Sequence, residues 1–107
     1  MGRYNRKKDS IQNEIVDALE LVGCAVTDMS AAGEGFPDIL VTRAGQHYLI
    51  EIKSSKGKLT APQVLFHEKH TPVYIVRSIG EALRVVGLAR AALHWRHDQK
   101  RRGVADD

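Results

Sequence analysis

The chain has 107 residues, 43% of them hydrophobic and 27% charged, with a formal net charge of +3. That size supports one domain with its own core, and the composition is that of a soluble globular protein rather than a fibrous or disordered one. No apolar run approaches the ~18 residues of a membrane span, the basic start lacks a signal peptide's apolar stretch, and the single Cys24 excludes an internal disulfide and suits a reducing cytoplasm.

Charge is uneven along the chain. Arg3, Arg6, Lys7 and Lys8 gather at the start, Arg96, Lys100, Arg101 and Arg102 at the end, and Lys53, Lys56 and Lys58 in the middle. Basic clusters on a small domain point to a polyanion, nucleic acid first. For the termini taken alone, a solvating tail serves equally well.

Residues 1–9 read as a basic arm, 10–95 as a single domain and 96–107 as a polar tail. Ser10 is placed to cap a helix whose stripe is Ile11, Ile15, Leu19 and Val22, and Gly23 ends it. An extended segment from Cys24 to Asp28 follows, then a small-residue loop from Ser30 to Gly35. Asp38 to Arg43 and Gln46 to Lys53 have strand composition. Ser54 to Leu59 is a basic loop bending at Gly57, and Thr60-Ala61-Pro62-Gln63 fits a capping box for a helix to about His70. Val73 to Arg77 reads as a strand, and Ser78 to Glu81 opens a last helix expected to reach at least Leu93. The order helix, strand, strand, strand, helix, strand, helix predicts an α/β fold, a mixed sheet flanked by helices.

With Ala44-Gly45 as a two-residue turn, Arg43 lies opposite Gln46 and Asp38 opposite Glu51. One hairpin face then carries Ile39, Val41, Tyr48, Ile50 and Ile52; the other carries Asp38, Glu51 and Lys53. A slip of one residue would send the two acids to opposite faces. Like charges directly opposite destabilise a sheet, and two carboxylates about 5 Å apart repel by roughly 3 kcal/mol at an effective dielectric of ~20. A stretch that otherwise obeys every patterning rule breaks one here, which marks functional sites. A divalent cation turns the repulsion into attraction, and hard oxygen ligands suit Mg²⁺ or Mn²⁺ rather than zinc. Lys53, two residues beyond Glu51, shares its face and can orient water or stabilise charge on a phosphate. The bland alternative is an exposed Glu51–Lys53 ion pair with Asp38 capping a turn.

At these residues, Pro37-Asp38 followed by Glu51-Ile52-Lys53, the chain resembles a PD-(D/E)xK nuclease. More narrowly, G-F-P-D, E-I-K, K-G-K-L-T and Gln63 resemble the VRR-NUC family of small nucleases, relatives of Holliday junction resolvases; the likeness runs from about Ser10 to Leu83. It implies a restriction-endonuclease-like core, Mg²⁺ with Mn²⁺ able to substitute, and a homodimer acting on branched or duplex DNA. It also implies that Asp38, Glu51 and the Ile52 carbonyl bind metal and that Lys53 positions or activates the attacking water; the basic clusters point separately to Lys56, Lys58, Lys7 and Lys8 as residues that meet DNA. Gln63 matches a glutamine of the family pattern, or serves only as the capping partner of Thr60. Related nucleases carry a glutamate on the first helix; here the matching position is Gln12, with Glu14 as a possible substitute.

His67 and His70, like His94 and His97, read as solvent-facing helix, Cys24 as a buried apolar residue, and Trp95 as an anchor for the last helix. Two functions remain open: a Mg²⁺-dependent DNA endonuclease, or a non-catalytic DNA-binding or assembly module keeping the fold.

Overall fold

The computed structural model describes residues 10–88. The basic arm at 1–9, His94, Trp95, His97 and the tail at 96–107 lie outside that span. The elements are α1 (Ser10–Leu21), β1 (Ala25–Asp28), a 3-10 turn (Ser30–Ala32), β2 (Ile39–Arg43), β3 (Gln46–Ile52), α2 (Ala61–Lys69), β4 (Tyr74–Val76) and α3 (Ile79–Val85). This is the order that the patterning predicts.

The four strands form one mixed sheet in the order β1-β2-β3-β4. β1, β2 and β3 pair antiparallel, and β3 pairs parallel with β4. A parallel pair needs a crossover, which α2 supplies. Ala44 and Gly45 have φ of 51° and 78°, the two left-handed residues of a type I′ turn. The turn sets Arg43 opposite Gln46 and Ile39 opposite Ile50. Asp38 stands just before β2, beyond the paired residues, and its carboxylate reaches the end of β3 through the Ile52 N–H.

Ile39, Val41, Ile50, Ile52 and Val76 form the sheet's part of the core, and Ile15, Val16 and Leu19 of α1 close over it with Ala82, Leu83 and Val86. Each fully buried side chain of this size contributes roughly 1.5–3 kcal/mol. Cys24 joins this cluster, as expected. Between Ile50 and Ile52, Glu51 points to the other face, and there it meets α2. That helix has no fully buried residue. Phe66 holds it edge-on to Phe36, ring centroids 4.9 Å apart. Gly35, at φ 81°, passes so close that an added Cβ would lie 2.2 Å from the Pro62 carbonyl oxygen. The glycine is needed for this approach.

Two expectations are corrected. Ser10 is already helical rather than a cap. α3 ends at Val85, not near Leu93, because Gly87 at φ 88° closes it. Leu88 N donates to Leu83 O at 2.9 Å and Gly87 N to Arg84 O at 3.0 Å, the bond pair of a Schellman motif. Cys24 N to Leu19 O and Gly23 N to Glu20 O, both 3.0 Å, end α1 in the same way.

Candidate active site

The hairpin brings its two acids together where β2 begins. Asp38 Oδ2 accepts the Ile52 N–H at 2.8 Å, which ties the start of one strand to the end of the next. Glu51 is only 2% exposed, and its two oxygens have different surroundings. Oε2 accepts from Gln63 Nε2 at 3.0 Å and lies 3.6 Å from Lys53 Nζ. Oε1 is buried with no hydrogen-bond partner among the described residues. Burial first, then the neighbouring Asp38 carboxylate, push the Glu51 carboxyl up to about 7, with Lys53 opposing. A buried, half-satisfied carboxylate beside a second one is costly.

A cleft of about 380 Å³ opens at this point. Asp38, Glu51, Ile52 and Lys53 line it from the hairpin, Gln12 from α1 and Gln63 from α2, with Ser54 and Gly57 from the following loop. The donor set is hard oxygen, and the orphaned Glu51 Oε1 fits a small divalent cation such as Mg²⁺ or Mn²⁺. Among the described residues no group of three or more His, Cys, Asp or Glu gathers. Water or phosphate oxygens would have to complete such an ion's shell.

Of the two helix-one alternatives, Gln12 lines the cleft and Glu14 is exposed outside it. Gln63 combines both readings offered for it. Its Oε1 accepts the Thr60 N–H at 2.9 Å and its own N–H reaches Thr60 Oγ1 at 3.4 Å, completing the capping box. The remaining amide end reaches Glu51. Lys56 and Lys58 are exposed on the loop that borders the cleft, and Lys7 and Lys8 lie outside the described residues.

Two residues near the site escaped the sequence reading. Arg77 donates from Nη1 to the carbonyls of Ser54 and Gly57, pinning the lysine loop to the end of β4. Nothing local in the sequence announces this pairing. The sequence pattern places His67 toward solvent, yet it is half-buried and its Nε2 has no partner among the described residues. Burial, then the charge of Lys53, lower its pKa. The available signal was spacing, since His67 follows Gln63 by four residues and so shares its helix face. His70 is exposed, its ring 4.4 Å from that of Phe66.

A mixed sheet flanked by helices, with paired acids and a lysine at the end of its hairpin, defines a restriction-endonuclease-like fold. Residues 3–68, more than half of the chain, match the family model for archaeal Holliday junction resolvases (Hjc), and the chain belongs to that family. A solved structure described as a VRR_NUC domain is also similar, at a TM-score of 0.58 and 25% identity over 71% of this chain and 89% of that one. No curated protein matches the chain by sequence. Family and fold are those of nucleases.

Proposed function

We propose that the protein is a divalent-cation-dependent endonuclease that hydrolyses DNA phosphodiester bonds at branched or junction-type DNA, working with Mg²⁺ and accepting Mn²⁺. The observation that carries this reading is the asymmetry of Glu51: one oxygen held by Gln63 and Lys53, the other buried and unpartnered beside Asp38. Asp38, Glu51 and the Ile52 carbonyl would hold the cation. When bound, it would supply Lewis-acid charge to the scissile phosphate and neutralise the paired acids.

The chain's own groups do the rest. Lys53 Nζ, held 3.6 Å from Glu51, orients the attacking water and stabilises charge gathering on the phosphate. The water oxygen bonds to phosphorus as it gives up a proton to solvent, the P–O bond on the opposite side breaks, and the leaving oxygen takes up a proton from solvent. Gln63 keeps Glu51 in one orientation through the step. Exposed Lys56 and Lys58 attract the phosphate backbone on either side of the cut. Two strands cut symmetrically need two such sites, and a homodimer supplies them.

Four-way-junction, flap, nicked and linear DNA, incubated with Mg²⁺, with Mn²⁺ and with EDTA, test this directly. Junction cleavage that requires metal and disappears in Lys53→Ala is expected. Cleavage of no substrate, or undiminished cleavage by Lys53→Ala, refutes the assignment. Salt-sensitive binding without cleavage, unaffected by Asp38→Ala, would mark a non-catalytic module instead.

A further inference from the structure

The cleft contains a second orphan, and it is a donor rather than an acceptor. Gln12 is 4% exposed in the first turn of α1 and lines the cleft with Asp38 and Glu51. Its Nε2 is buried with no hydrogen-bond partner among the described residues. An unmade buried donor is destabilising, a cost that methionine or leucine would avoid at the same helix position. Gln63, the other amide in the cleft, spends its Nε2 on Glu51. Gln12 does not, although Glu51 Oε1 is also unpartnered.

The two orphans have opposite polarity. Glu51 Oε1 suits a cation, and a neutral amide N–H suits an anionic oxygen that arrives beside that cation. A carboxylate at the Gln12 position would repel such an oxygen; an apolar side chain would ignore it. Resting on the nuclease reading above, we propose that Gln12 Nε2 donates to a non-bridging phosphate oxygen of the bound nucleic acid. Gln12 is then a substrate-contacting residue that seats the scissile phosphodiester, not a ligand of the metal.

The full chain, Gln12→Met (similar shape, no donor) and Gln12→Glu (similar shape, anionic) separate these roles. DNA affinity is read by fluorescence anisotropy of a labelled four-way junction with Ca²⁺ in place of Mg²⁺. Cation affinity is read by titrating Mn²⁺ into the DNA-free protein, and thermal melts check folding. Gln12→Met should weaken DNA binding about tenfold while leaving Mn²⁺ affinity within about twofold. Gln12→Glu should weaken DNA binding further and tighten Mn²⁺, and it carries the test alone if the methionine variant does not fold. A fall in Mn²⁺ affinity with Gln12→Met would make Gln12 a cation ligand and overturn the assignment. DNA binding equal to wild type in the folded variants would do the same. A wild type that cuts DNA while the variants bind normally removes only the Gln12 role; one that binds neither Mn²⁺ nor DNA removes the nuclease reading as well.

Discussion

Gln63 uses both ends of one amide: its Oε1 closes the cap of α2 on Thr60 N, and its Nε2 holds Glu51 Oε2 at 3.0 Å. Helix position and carboxylate orientation are therefore coupled. Gln63→Glu keeps an acceptor for the cap but replaces the donor facing Glu51 with a like charge. Cleavage should fall about 10- to 100-fold, and the thermal midpoint of the metal-free protein should fall too, because the new carboxylate repels buried Glu51. Gln63→Ala should lose both, with a stability cost of about 1 kcal/mol from the cap. Equal activity in the two variants and wild type would show that the Glu51 contact does not matter.

Metal affinity should depend on pH through Glu51. Its carboxyl is raised from 4.5 to about 7, so the folded, metal-free chain holds a proton that the unfolded chain releases. Glu51's contribution to stability is fully present below 4.5 and is lost as pH rises through about 7. A cation must displace that proton, so affinity should climb by up to about tenfold per pH unit through this window and then level off. Mn²⁺ titrations of the DNA-free protein across that range check it; a flat profile would contradict the burial and charge argument.

Asp38→Asn should separate function from stability. The asparagine oxygen can still accept the Ile52 N–H that Asp38 Oδ2 now takes at 2.8 Å, while the charge beside Glu51 disappears. In EDTA above pH ~7 the variant should be more stable by roughly 1 kcal/mol or more, and Glu51 should titrate lower. Metal-dependent cleavage should be lost. A destabilised variant in EDTA would mean that the two acids do not repel in the resting protein.

Ala44 offers a test away from the cleft. At φ 51° it occupies a left-handed conformation without being glycine, at a cost of about 1–2 kcal/mol. Ala44→Asn, suited to the first position of a type I′ turn, should raise the thermal midpoint by about 4–8 °C per kcal/mol recovered. Junction cleavage should be unchanged, since the register is unchanged. A lower midpoint would show the turn to be unstrained.

Much of this molecule was legible along the chain. The apolar alternation of Ile39, Val41, Ile50 and Ile52 sets which face is buried, and the two-residue turn sets which residues oppose. Gly23 announces the end of α1, and Gly87 carries the same signal for α3, which ends well short of the expected Leu93. Local rules suffice wherever the partner of a group lies within a few residues or directly across one turn.

The site divides along the same line. Asp38, Glu51 and Lys53 fall on one face because period and turn are local, so the sequence alone determined the paired acids and their lysine. Only the tertiary structure decided that Gln12 rather than Glu14 enters the cleft, that Gln63 serves Glu51 as well as Thr60, and that Arg77 and His67 border the site. Those contacts join α1, α2 and β4 to the hairpin across long stretches of chain, where packing geometry sets distance and burial. The hairpin carries the charges; the elements packed around it decide which of their atoms stay free to bind.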